Sequence, residues 1–231
     1  MSDVTPPPTP PAWLDGALLS FVAAFVDTAC FIGLFGLFTA HVTGNFVLIG
    51  AELVSGDGAI LVKLLALPVF VVAVAGTALA DGALHERGHK PITPLLVVQG
   101  LLLAAALAAA WALPPPRAAH DAGALITGLL AVAAMGVQNA LMRLELASLP
   151  PSTVMTGNVT QFVIDAMTAR ATPSPAAAQA ARQRMRHLVP GLIAFTLGAA
   201  AAALAFAGVG LMSLALPTLL CGFLAWRLRK H

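Results

Sequence analysis

Long apolar runs, separated by short polar stretches, set the pattern of this chain. The runs cover residues 13–38, 64–80, 93–113, 122–141 and 188–226. The last run is long enough for two spans, and Gly208-Val209-Gly210 provides a natural hairpin between them. Because a helix needs about 20 apolar residues to cross a bilayer, the pattern predicts an all-α polytopic membrane protein with six transmembrane helices.

Composition agrees with this pattern and excludes a soluble globular domain. The chain is 59% hydrophobic and 10% charged, far from the average of soluble domains. We expect residues 1–12, which are rich in proline, to form a disordered tail. The remainder, 13–230, is predicted to be a single membrane domain that has the lipid bilayer as its main partner, and a homodimer is compatible with it. The basic stretch 182–187 reads as a juxtamembrane lipid anchor and not as a nucleic-acid site.

The distribution of basic residues predicts the orientation. If the N-terminus lies in the cytoplasm, six spans place ten of the 12 lysines and arginines on the cytoplasmic side, and only Lys63 and Arg117 outside. This asymmetry is the positive-inside bias of membrane proteins. Both termini are therefore expected to be cytoplasmic.

The two halves of the chain, 13–113 and 121–228, resemble each other. The segment TAHVTGN (39–45) recurs as STVMTGN (152–158), and Asp27 in the first half aligns with Gln138 in the second. Pro68 and Pro190 are each followed eight residues later by a glycine. With three spans per half, the second half must enter the membrane inverted, as in many secondary transporters.

Each Thr-Gly-Asn segment is predicted to open a re-entrant or broken half-helix. Threonine can cap the helix, glycine permits close approach, and asparagine offers a donor and an acceptor. Two such helix starts facing each other near the midplane would suit a negatively charged ligand group. The alternative is that the motif only caps and packs the half-helices. The predicted substrate-binding residues are Thr43, Gly44, Asn45, Thr156, Gly157, Asn158, Gln138 and Asn139.

Asp27 is the carboxylate that lies well inside a predicted span. Charges inside the membrane are costly and usually mark a pathway or a partner. We therefore interpret Asp27 as a candidate proton-coupling group. The alternative is a protonated acid that only bonds to a neighbouring helix.

Other polar residues are weaker candidates. His41 and Arg143 are placed at a mouth or gate, although an interfacial histidine and an Arg143–Glu145 salt bridge at a helix end would explain them equally. Gln99 would make either an interhelical hydrogen bond or a pore contact. Cys30 and Cys221 read as apolar core residues.

No motif predicts catalysis or a cofactor. The chain has no phosphate-binding glycine loop, no His-Glu-x-x-His and no Cys-x-x-Cys. Intramembrane catalysis normally needs a metal cluster or a paired base and nucleophile. We therefore expect neither an enzyme nor a bound metal or cofactor.

Four motifs in order resemble the YoaK-like family of bacterial membrane proteins, a domain of unknown function. They are Val26-Asp27, His-x-Thr-Gly-Asn at 41–45, Met-Gly-x-Gln-Asn-Ala at 135–140, and the second Thr-Gly-Asn at 156–158. The resemblance covers nearly the whole chain. It implies a location in the bacterial inner membrane and no particular substrate.

These features together predict a secondary transporter of a small solute that could be anionic. The solute would bind between the two Thr-Gly-Asn segments, with Asp27 as the coupling acid. A narrow channel built from the same half-helices is the first alternative. A partner subunit that transports nothing is the second.

Overall fold

A computed structural model describes residues 10–55 and 59–229, and this part of the chain is helical. The helices are α1 (Pro10–Gly33), α2 (Gly44–Ser55), α3 (Ile60–Glu86), α4 (Ile92–Ala112), α5 (Ala122–Leu144), α6 (Met155–Ala171), α7 (Pro175–Val209) and α8 (Ala215–Leu228). A short 3-10 turn, Gly210–Leu214, joins the last two. The prediction of an all-helical fold is confirmed for the described residues.

Five helical stretches are long and apolar enough to cross a membrane. They are Trp13–Gly33, Ile60–Glu86, Ile92–Ala112, Ala122–Leu144 and the continuous stretch Pro175–Leu228. The last stretch has 54 residues, which at about 1.5 Å per residue far exceeds the thickness of a bilayer. With five such stretches, the protein is a helical membrane protein.

The chain reverses direction within that last stretch. Gly210 has a φ of +59°, a conformation that glycine adopts without strain. Before the turn, Gly191 lies beside Ser20 and Phe206 lies beside Gly33, so α7 runs parallel to α1. After the turn, Leu211 also lies beside Gly33, whereas Arg227 binds Asp15 at the other end of α1. The segment after Gly210 thus runs back along α1.

Helices α1 and α5 form the centre of the molecule. In each of these two helices, 67% of an apolar 18-residue segment is buried. The corresponding share is 22% in α3 and 28% in α4. Phe25 of α1 and Met135 of α5 are fully buried in one apolar core. The more exposed helices surround this pair, as expected where lipid covers the outer faces.

Between α1 and α2 the chain turns back on itself. Phe35 and Gly36 have positive φ values of 57° and 76°. The loop then returns to the level of Asp27, whose carboxylate accepts hydrogen bonds from the backbone of Thr39 and Ala40. Asp27 is six residues before the end of α1, so the loop re-enters by about 9 Å. Helix α2 starts there and leads outward again.

The loop after α5 makes the equivalent excursion. Gln138 and Asn139 bond the side chains of Ser152 and Thr153. Gln138 is six residues before the end of α5, which again gives a depth of about 9 Å. Helix α6 starts at this level and runs back toward its own end of the molecule, where Asp165 binds Arg184 of α7. A helix therefore begins at or next to each Thr-Gly-Asn segment: α2 in the first half and α6 in the second, the two half-helices.

Two details add to the expectations. Helix α1 begins at Pro10, inside the predicted tail, and proline is favoured in the first turn of a helix. Residues 1–9 of the tail lie outside the described residues. Lys63, expected in an external segment, is 1% exposed in the first turn of α3. Its ammonium is neutralised by Glu52 of α2, 2.5 Å away, and donates to the Phe35 carbonyl.

Candidate functional site

Asp27 organises the first re-entrant loop. Its Oδ1 accepts hydrogen bonds from the Thr39 N–H at 2.6 Å, the Ala40 N–H at 2.8 Å and the Thr39 hydroxyl at 3.1 Å. The side chain is almost completely buried. Three donors therefore converge on one oxygen of this side chain. Asp27 holds the loop at depth through these bonds.

His41 completes the coordination of this carboxylate. Its Nδ1 lies 2.6 Å from Oδ2 of Asp27, and its ring stacks edge-on against Phe195 of α7. The ring also lies close to the backbone of Thr153 in the second loop. His41 was placed at a mouth or gate; the structure pairs it directly with Asp27.

The two Thr-Gly-Asn asparagines hold their loops in the same way. The Asn45 amide nitrogen donates to the carbonyl of Phe38, and the Asn158 amide nitrogen donates to the carbonyl of Pro151, each seven residues earlier. The Phe38 N–H also donates to Asn45 Oδ1. Proline has no N–H, so this second bond has no counterpart at Pro151. Both asparagines are buried.

Thr156 does not cap α6 as expected. The α6 cap position is Val154, without a side-chain bond, so Thr156 lies inside the first turn of the helix. At the start of α2, the N–H of Phe46 donates to the backbone carbonyl of Thr43. Glycine is needed at Gly44 because an added Cβ would lie 2.9 Å from the Phe38 ring. At Gly157 an added Cβ would meet only the Val154 side chain, at 3.2 Å.

Gln138 and Asn139 belong to a buried network. Gln138 donates to the Leu19 carbonyl and the Ser152 hydroxyl, and it accepts from Gln99 at 2.6 Å. Asn139 accepts from Thr153. Gln99 thus makes an interhelical bond, one of its two predicted roles. The equivalent place in the first half holds the charge of Asp27, so the two halves differ at this point.

An open cavity of about 500 Å³ lies where the two half-helices begin. Gly44 lines it from α2, and Met155 and Thr156 line it from α6. Asp27 and His41 are the titratable residues that line it. The remaining lining residues are Ala24, Thr28, Phe31, Phe38 and Phe195.

The structure brings together some of the predicted site residues and not others. Asp27, His41, Gly44 and Thr156 share the cavity. Asn45, Asn158, Gln138 and Asn139 support the loops behind it. Thr43, Gly157 and Arg143 are exposed and are not among the lining residues. Phe195 was not predicted, because its place in the cavity depends on how α7 packs against α1.

Ion pairs at the helix ends lie away from this cavity. The pKa of Asp165 is held below its usual range by hydrogen bonds from the Arg184 guanidinium. Glu145 does not form the expected pair with Arg143; it lies 3.6 Å from His85, and burial followed by the charge of Asp81 raises its pKa. Ligand atoms of Asp81, His85 and Glu145 lie within 4.8 Å of one another and could hold a metal ion.

The fold and this site define a helical membrane protein with two half-helices that start beside one cavity. Residues 16–226 match the family model described as "Protein of unknown function (DUF1275)". The chain belongs to that family, as its four motifs predicted. No curated protein and no solved structure matches it.

Proposed function

We propose that the protein is a secondary transporter of a small solute, with the solute bound in the cavity between the starts of α2 and α6. The observation that carries this proposal is that Gly44 and Thr156, from the two half-helices, line one cavity together with Asp27. Transporters commonly bind substrate and coupling ion where discontinuous helices begin. Asp27 is the proposed proton-coupling group, and it acts together with His41, whose Nδ1 lies 2.6 Å from its Oδ2.

The packing of the helices supports an inverted repeat with six crossings. Helix α1 packs against α7 as α5 packs against α3, and α2 packs against α3 as α6 packs against α7. Helices α4 and α8 pack against each other, and each also contacts the first helix of the other half. The reversal at Gly210 supports a sixth crossing, which would place both termini in the cytoplasm of a bacterial cell, as the positive-inside bias predicts.

A difference between the halves favours a carrier over a channel. Gly198 of α7 packs so tightly on α1 that an added Cβ would lie 2.5 Å from the Phe21 carbonyl oxygen. Its counterpart Gly76 in α3 has open space and lines a second cavity of about 460 Å³ between α3, α4 and α5. A carrier with inverted repeats alternates by exchanging the packing of its halves, whereas a channel needs no such difference.

The experiment that tests the site is ligand-induced thermal stabilisation of the purified protein with small cations, anions and neutral metabolites. Thr28→Phe should fill the cavity and abolish the response to any ligand that stabilises the wild type. Val72→Phe, in the second cavity, is the matched control and should respond normally. If no compound stabilises the wild type, or if both variants respond equally, the cavity is not a solute site.

Transport itself is tested with proteoliposomes. The stabilising ligand should be accumulated when a proton gradient is imposed, and Asp27→Asn should lose accumulation while it retains exchange. A channel would show flux without accumulation in both proteins. A partner subunit would show no flux at all.

A further inference from the structure

The charges of the residues that line the cavity indicate which class of solute it binds. This inference rests on the proposed function. Asp27 and His41 are the titratable residues among those that line the cavity, and neither lysine nor arginine is among them. The lining therefore carries a formal charge of −1 when His41 is neutral and zero when His41 is protonated. An anion meets no net positive charge in either state.

The start of α2 also offers less to an anion than the sequence suggests. The N–H groups of Gly44, Asn45 and Phe46 donate to the carbonyls of His41, Val42 and Thr43, at 2.8, 3.1 and 3.2 Å. These are the donors that a bound anion would need. Hydrogen bonds within the turn before the helix already occupy these N–H groups.

Three phenylalanine rings, Phe31, Phe38 and Phe195, also line the cavity. The Phe31 and Phe38 rings are 4.8 Å apart between centroids, and the His41 and Phe195 rings are 5.6 Å apart. Faces of aromatic rings attract cations and also accept apolar surface. A carboxylate beside several rings is therefore complementary to a cation with an apolar body.

We propose that the cavity binds a small organic cation, an ammonium group with an apolar body, whose charge pairs with Asp27 in competition with the proton on His41. A protonated His41 neutralises the carboxylate from a distance of 2.6 Å. When His41 is neutral, the Asp27 carboxylate can pair with the cationic solute instead. Binding of the cation thus releases a proton, and the proton that rebinds to His41 expels the cation.

The surrounding elements supply few other groups that titrate. Cys30 of α1 is fully buried close to Asp27. The residues that face the cavity from α2, α6 and α7 are Gly44, Met155, Thr156 and Phe195, all uncharged. A pH dependence of binding between pH 5 and 8 is therefore assigned to His41.

The test uses three probes that share a phenyl ring and differ in charge: benzyltrimethylammonium, benzyl alcohol and phenylacetate. Affinity for the full-length protein in detergent is measured by calorimetry at pH 5.5 and pH 8. Benzyltrimethylammonium should bind most tightly and should weaken as the pH falls, although its own charge is permanent. The weakening should be about tenfold, because a charge-assisted contact is lost.

Two variants assign the effect to its residues. His41→Gln should still bind the cation, with equal affinity at both pH values. Asp27→Asn should lose the preference for the cation over benzyl alcohol, and its unfolding midpoint without ligand shows whether it is folded. If Asp27→Asn does not fold, the result for His41→Gln decides the proposal on its own.

The outcomes separate this inference from the proposed function. If phenylacetate or benzyl alcohol binds more tightly than the cation, and Thr28→Phe abolishes that binding, the cation assignment is wrong and the solute site stands. A cation affinity that is independent of pH in the wild type also overturns the competition with His41. If none of the three probes binds, the cation inference fails, whereas the solute site is decided separately by the stabilisation experiment with Thr28→Phe and Val72→Phe.

Discussion

Asparagine in the two Thr-Gly-Asn segments is explained by the geometry of its amide. One short side chain must reach the backbone seven residues earlier, and an amide carries a donor and an acceptor at its end. Asn45 uses both on Phe38, whereas Asn158 can use only its donor on Pro151. The repeated motif therefore holds a loop in each half, and it stabilises the first loop more than the second.

We predict that Asn45→Ala destabilises the protein more than Asn158→Ala. The first change leaves the N–H and the carbonyl of Phe38 without their partner and should cost about 2 kcal/mol, whereas the second leaves one carbonyl and should cost about 1 kcal/mol. Thermal unfolding in one detergent compares them, with Thr160→Ala on the exposed face of α6 as a neutral control. Equal losses for both asparagines would contradict the hydrogen-bond assignment.

The candidate site could be predicted from the sequence only in part. Asp27 and the helix starts stood out because polar residues are rare in apolar runs. The different roles of these residues could not be predicted from the sequence. Asn45 and Asn158 bond to the backbone of the loops, whereas Phe31, Phe38 and Phe195 line the cavity. Phenylalanines in a span resemble core residues in sequence, so their role emerges only once α1 and α7 are packed together.

Helices α3 and α7, which the sequence resemblance between the two halves aligns, pack to different extents. Gly198 allows the backbones of α7 and α1 to touch, and α7 needs a residue without a side chain at that point. Gly76 is in the same sequence context, eight residues after a proline, and a Cβ added there would meet no atom of another element within 4 Å. The sequence predicts the equivalence of the two glycines but not this difference, because packing distance is a property of the folded state.

We predict that Gly198→Ala lowers the free energy of unfolding by about 1–3 kcal/mol, the usual cost of overpacking. Gly76→Ala should be neutral or stabilising by up to about 1 kcal/mol, since alanine is the better helix former. The two variants control for each other, and thermal unfolding measures both. Similar losses at both positions would mean that α3 is as closely packed as α7.

For the chain as a whole, the helical membrane fold followed from the length of the apolar runs. The count of crossings is less direct, because α7, the 3-10 turn and α8 form one continuous stretch of helix. The reversal occurs at Val209 and Gly210, both of which have non-helical backbone angles. Sequence reasoning found this turn through its two glycines, but the loops that dip back between helices could only be inferred from their length.

Accessibility of introduced cysteines tests the number of crossings. Cys30 and Cys221 are both fully buried, so a maleimide that cannot cross membranes should label only new sites. With six crossings, His89→Cys and a reporter fused to the C-terminus should lie on one side, and Arg117→Cys on the other. A C-terminal reporter on the side of Arg117 would indicate five.

The buried network around Gln138 has a consequence for biogenesis. Its amide is satisfied by Leu19 of α1, Gln99 of α4 and Ser152 of the second loop, which are far apart along the chain. When α5 first enters the bilayer, it must carry an unpaired amide into hydrocarbon, where such groups are costly. The membrane therefore favours early gathering of α1 and α4 around α5, and the two halves of the chain are expected to assemble together during insertion.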